Sequence, residues 1–174
     1  EVFYIKDNEE GCMWSITPMP SGDKEPYTVR HGLGYTVFEH MSYGLEQSLT
    51  MFVPVESTVK VCIISLKNLT GKKRDLSVTY YIRPVLGVDE ERTSPYIITQ
   101  KGNNGTLLIQ NRFTGDYKEN VAFICTNAAE YAVTGDRLSF FGINGSLSSP
   151  EAVLTGSFRE ITGAGLDPCA AICG

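Results

Sequence analysis

The residues best suited to chemistry in this chain lie together between positions 27 and 40. The stretch Tyr27-Thr28-Val29-Arg30-His31-Gly32-Leu33-Gly34-Tyr35-Thr36-Val37-Phe38-Glu39-His40 holds both histidines of the chain, an arginine, a glutamate and three aromatics. Imidazole and carboxylate groups can move protons, and a guanidinium set among flat rings can hold a sugar. With Trp14 added, the candidates for a carbohydrate-facing or interface-facing surface are Trp14, Arg30, His31, Tyr35, Glu39 and His40. The same residue types also suit an ordinary sheet edge.

Each reaction class asks for more than this stretch supplies. A metal centre needs three or four convergent ligands. His31, Glu39 and His40 are the only candidates close in sequence, and on a strand Glu39 and His40 point to opposite faces. No metal or other cofactor is therefore expected. Glycosidic cleavage uses a carboxylic acid with a second carboxylate or an external nucleophile. Asp7, Glu9, Glu10, Asp23, Glu25, Asp89, Glu90, Glu91 and Asp116 fall in loops or hairpin ends and read as solvated surface. Glu39, inside a strand, reads as the buried partner of Arg30 or a histidine in a structural ion pair. There is no Gly-x-Ser-x-Gly elbow, no cysteine with a histidine partner, and Gly32-x-Gly34 lacks the third glycine of a dinucleotide site. No catalytic residue is assigned.

The elements that must position these residues are strands. The dominant period is two, as in Thr58 to Leu66, which reads as a strand covered on both faces, and Asp75 to Ile82, with Leu76, Val78, Tyr80 and Ile82 facing in. Further strand-like runs are Tyr96 to Thr99, Thr106 to Asn111, Asn120 to Cys125, Arg137 to Phe141 and Ala152 to Phe158. Turn chemistry bounds them at Thr70-Gly71, Gly102 to Gly105, Thr114-Gly115-Asp116, Thr134-Gly135-Asp136 and Asn144-Gly145. Pro18 and Pro20 exclude a central strand after Trp14, and Ser21 to Pro26 reads as a surface loop. Many short strands with little helix predict an all-β, antiparallel β-sandwich, one domain over residues 1–174.

With 174 residues the chain is long enough for one well-buried domain. A net charge of -5 without a basic stripe argues against nucleic acid as a partner. Lys72-Lys73-Arg74 reads as a solvated hairpin tip. No apolar run is long enough to cross a bilayer. Five scattered cysteines, with Cys62 and Cys125 in apolar strands, read as buried free thiols and fit a reduced cytoplasm. Glu1 to Ile5 reads as a strand cut into mid-domain, so a segment of something longer is expected. The tail, Gly163 to Ala171, reads as a glycine-hinged turn ending in small residues, either leaving room for a missing neighbour or forming a frayed end.

Taken in order, several motifs resemble one family. Trp14-Ser15-Ile16-Thr17-Pro18, the stretch from Tyr27 to His40, and Met51-Phe52-Val53-Pro54 are similar to the N-terminal β-sandwich of glycoside hydrolase family 94, the inverting glycoside phosphorylases. Thr134-Gly135-Asp136-Arg137 with Phe141, Asn144-Gly145-Ser146, and Gly163 to Ala171 resemble the phosphorylase-like region of cyclic β-1,2-glucan synthases. The resemblance covers Tyr4 to Ala171. It implies a supersandwich like that of galactose mutarotase and, as partner, an (α/α)6 barrel that carries the catalytic acid and acts on β-glucan oligosaccharide and phosphate. It also implies a possible homodimer interface, and a sandwich segment inactive alone. Mutarotase roles are not transferred to His31, His40 and Glu39. The rival readings are an autonomous carbohydrate-binding module and a mutarotase-like epimerase.

Overall fold

The computed structural model describes residues 1–113 and 115–174. In chain order its strands are β1 (Val2–Asp7), β2 (Met13–Ser15), β3 (Tyr27–Gly32), β4 (Tyr35–Ser42), β5 (Leu45–Phe52), β6 (Val61–Asn68), β7 (Leu76–Ile82), β8 (Ile97–Lys101), β9 (Thr106–Asn111), β10 (Val121–Cys125), β11 (Ala132–Asp136) and β12 (Pro168–Cys173). Three short helices join them: α1 (Glu90–Thr93), α2 (Arg137–Phe141) and α3 (Glu151–Thr155).

All the strand pairs are antiparallel. A five-stranded sheet in the order β11-β12-β7-β1-β2 forms the middle layer. Strand alternation sends its side chains to two cores. Phe3, Ile5, Trp14 and Ile16 meet Leu45 and Leu49 of the meander β3-β4-β5-β6. On the same side Val133, Ala170 and Ile172 meet Ile97, Leu107, Ile109 and Ile124 of the meander β8-β9-β10. Val2, Tyr4, Tyr81, Cys169 and Ala171 point the other way, against Phe140, Phe141, Ala152 and Val153 of α2 and α3. The chain is thus the expected all-β sandwich, with two meanders side by side over one face of a shared sheet and a helical cover on the other.

Four expectations about elements change. Arg137–Phe141 and Glu151–Thr155 are helices, not strands. Asp136 caps α2 by accepting from the Ser139 N–H at 2.7 Å, and Gly142 and Gly156 follow the two helices with positive φ. Windows of five residues are too short to separate period two from 3.6, so the caps carried the signal. The two-sided strand is β7 rather than β6. Tyr81 packs toward the helices and Tyr80 and Ile82 toward the meanders, whereas Ile63 of β6 is 52% exposed. The tail is an interior strand of the middle sheet, and its small residues Cys169, Ala170 and Ala171 are packed on both faces by this chain's own helices and meander. Finally, the cysteines are free but Cys125 is exposed. Of the turn expected at Thr114-Gly115-Asp116, Thr114 lies outside the described residues, and Gly115–Tyr117 form a 3-10 turn.

Two charged positions also depart from the solvated surface expected of them. Asp7 is fully buried, accepting the Glu9 and Glu10 N–H groups at 2.9 and 2.9 Å and the Arg74 Nε at 2.5 Å. Arg74, read as part of a hairpin tip, is correspondingly buried and also donates to the Tyr43 carbonyl at 2.9 Å. This ion pair ties the end of β1 to the loops after β4 and β6.

Candidate functional site

Arg30, Tyr35 and Glu39 share one face of the β3-β4-β5-β6 meander, and His31 and His40 share the other. The division follows from register. Pairing of Tyr27 with His40, Val29 with Phe38 and His31 with Thr36 sets these residues toward the core, while Thr28, Arg30, Tyr35, Val37 and Glu39 look outward. Leu33 and Gly34 make the turn, with Gly34 at φ +83°. A Gly is suited to that left-handed position because it has no Cβ to clash.

On the core side the histidines are far apart. Four residues of strand separate His31 from His40 in register, roughly 13 Å. His31 is exposed at the rim, its Nδ1 3.0 Å from Thr36 Oγ1. His40 is buried, stacked on Tyr27 with ring centroids 3.6 Å apart. Its Nδ1 lies 3.0 Å from the Pro26 carbonyl. A carbonyl only accepts, so Nδ1 carries a proton. Its Nε2 stands 2.9 Å from Asp23 Oδ1 in a contact that lacks hydrogen-bond alignment. Ser42 donates to the other Asp23 oxygen. Serine, histidine and aspartate therefore meet here, but in the wrong connectivity for a nucleophile. A triad needs the histidine between serine and acid, whereas here the acid bridges the other two. The cluster pins the loop of residues 21–26 onto β4, and burial pushes the Tyr27 hydroxyl up from its ordinary pKa.

Trp14 and His40 are thus corrections to the surface set. Trp14 is 1% exposed, stacked on Tyr43 at 4.5 Å and donating through Nε1 to Gln47 Oε1 at 3.0 Å. Being sandwiched between two sheets, it cannot offer a face to a sugar. Glu39 pairs with Arg30 at 2.6 Å as expected, but the pair is exposed rather than buried. Such a pair contributes at most about 1 kcal/mol. Glu39 does not converge with either histidine. No group of three or more metal-ligating side chains occurs among the described residues.

The outward face is mixed: the ion pairs Arg30–Glu39 and Lys67–Glu46 share it with apolar side chains. Tyr35 is 50% exposed, Met41 59% and Ile63 52% on the outward face. At the hairpin end, where Tyr35 pairs with Phe52 and Phe52 with Val61, Leu33, Val53 and Val55 are also exposed. The exposed apolar side chains at this hairpin end, with Met41 and Ile63 set between the ion pairs, suit a contact surface of mixed character. Sequence patterning could not find Met41 and Ile63, because their alternation also fits a strand covered on both faces.

The glycosyl hydrolase 94 supersandwich domain profile matches residues 1–174. The chain is 28% identical over 179 residues to the cyclic beta-(1,2)-glucan synthase NdvB of Rhizobium meliloti (strain 1021), a match covering 99% of this chain and 6% of that protein. It is 26% identical over 161 residues to the N,N'-diacetylchitobiose phosphorylase of Vibrio furnissii, covering 88% of this chain and 20% of the phosphorylase. Solabiose phosphorylase of Paenibacillus borealis is 31% identical over 81 residues, 46% of this chain and 10% of that enzyme. The chain therefore spans a small fraction of the length of these relatives. No helix among the described residues is long and apolar enough to cross a membrane.

Proposed function

Because the chain belongs to the glycosyl hydrolase 94 supersandwich domain family, we propose that it is a non-catalytic domain of a larger carbohydrate enzyme of the cyclic β-1,2-glucan synthase or glycoside phosphorylase kind. Its work is to seat a catalytic (α/α)6 barrel, support that barrel's substrate cleft and contribute to a subunit interface. The enzyme as a whole transfers or phosphorolyses β-linked sugar units.

The observation that carries this reading is the outward face of the β3-β4-β5-β6 meander. It presents Tyr35, Met41 and Ile63 to solvent, with Leu33, Val53 and Val55 at its end. The occupant we assign to this face is the remainder of the parent polypeptide. The matched relatives extend far beyond the matched residues, and this chain accounts for 6% and 20% of two of them. The titratable groups support the same reading by what they do. His40 and Asp23 hold a loop, and Arg30 and Glu39 hold each other.

An autonomous carbohydrate-binding module draws support only from Tyr35 and Arg30, because Trp14 is in the core. A mutarotase-like epimerase needs His31, His40 and Glu39 on one pocket, and they occupy two faces. The residues 1–174 incubated with β-glucan oligosaccharide and phosphate are expected to release no sugar phosphate. Release by the pure chain, followed by phosphate-coupled chromatography of the products, would contradict the proposal.

A further inference from the structure

A second feature, on the opposite side of the middle sheet, is independent of the docking face. Lys6 is only 8% exposed, and among the described residues its ammonium has no carboxylate partner. It stands opposite Ser77 in the β1–β7 register, and Thr79 stands opposite both Tyr4 and Cys173, so Lys6, Ser77, Thr79 and Cys173 share one face. Together with Asn8 and the wall formed by Val153, Thr155, Gly156 and Phe158, they line a hollow of about 410 Å³.

The lining is chemically one-sided. No carboxylate is among its described residues. Asn8 donates one amide proton to Ser77 Oγ at 2.9 Å and has a second to give. The Ser77 and Thr79 hydroxyls hydrogen-bond the Cys173 sulfur, a weak acceptor that an oxyanion in the hollow would displace. Thr155 commits its proton to the Glu151 carbonyl at 2.8 Å and serves only as wall. Gly156 lies against the lysine, where an added Cβ would come within 3.1 Å of Nζ. A side chain there would crowd the ammonium, and the left-handed φ of +70° already favours glycine. The stem of Lys6 is buried while its ammonium opens into the hollow, and a cation facing a hollow with no carboxylate in its lining attracts an anion.

We propose that this hollow binds a small oxyanion, of phosphate or carboxylate chemistry, with Lys6 supplying the charge and Ser77, Thr79 and Asn8 the neutral donors. One ammonium balances one negative charge, and the three neutral donors match the several lone pairs of an oxyanion but not a bare halide. The site is tested on residues 1–174 by thermal unfolding at constant ionic strength in inorganic phosphate, in acetate and in chloride.

At about twenty times its Kd a bound anion raises the Tm by roughly 4–7 °C. Phosphate or acetate is expected to do so relative to chloride, and the better of the two identifies the head group. The shift is expected to vanish in Lys6→Met and to shrink in Ser77→Ala. Equal Tm values in all three salts, or a shift that survives in Lys6→Met, would overturn the proposal. Should Lys6→Met fail to fold, the lysine Nζ resonances of the unmutated chain give the reading. One lysine signal is expected to move on titration with the active anion, and to move less in Ser77→Ala. Lysine signals that stay in place would overturn it equally.

Discussion

Replacing Asp7 by alanine is expected to destabilise the fold by about 3–5 kcal/mol, the usual cost of leaving one partner of a buried ion pair uncompensated. For a domain of this size that lowers the Tm by roughly 6–20 °C. Asp7 is inaccessible to solvent, and its carboxylate is shared among the Glu9 and Glu10 N–H groups and Arg74. Removing it leaves the Arg74 guanidinium buried with, among the described residues, the Tyr43 carbonyl as its remaining partner. The backbone N–H of Glu10 and the Arg74 guanidinium hold the Asp7 carboxyl below the usual carboxylate range, against the burial that pushes it up.

A folded-state pKa that is depressed means the stabilisation is complete above the unfolded value, about 3.9. It is lost as the pH falls through the folded value. Urea midpoints of the chain and of Asp7→Ala should accordingly lie far apart at pH 7 and converge as the pH drops below about 4. A constant gap would place the cost in packing rather than in charge.

Asp7 shows where sequence reading ran out. The period of two and the turn residues made the sandwich legible, and Glu39 could be matched with Arg30 because both lie on one hairpin. Asp7 and Arg74 are far apart in the chain, and only the pairing of β1 with β7 brings their loops together. No local pattern marks such a pair. The same holds for Trp14, whose neighbours suggest a sugar platform until the meander is laid over it. His40 was equally ambiguous. Its outward or inward sense depends on which face of the hairpin the core takes, and that is decided by Leu45 and Leu49 on the next strand. Helices α2 and α3 were hidden by their brevity, and the interior place of β12 by its small residues.

Trp14→Ala carries the second large effect, about 3–5 kcal/mol of lost stability. The indole fills the space between the middle sheet and the meander, beside Ile16, Leu45 and Leu49. Its loss also removes the hydrogen bond to Gln47, a buried residue whose Nε2 already lacks a partner among the described residues. Trp14→Phe keeps one ring but loses the donor and part of the indole's volume, so a smaller loss than that of Trp14→Ala is expected. Tyr35→Ala, at an exposed position, should stay within about 0.5 kcal/mol of the unmutated chain. Trp14 is the only tryptophan, so unfolding is followed by far-ultraviolet circular dichroism. If Trp14→Ala were as stable as Tyr35→Ala, the indole would be a surface group and the sugar-platform reading would return.

The proposed role of the outward face of the β3-β4-β5-β6 meander is docking rather than reaction. It is tested most directly by calorimetric binding of residues 1–174 to the separately produced remainder of the parent polypeptide, with and without Met41→Lys and Ile63→Lys together. Both positions are more than half exposed, so the fold should tolerate the change. The unmutated chain is expected to bind, and the double variant to bind roughly 30-fold or more weakly. A double variant that binds as tightly as the unmutated chain would contradict the docking role.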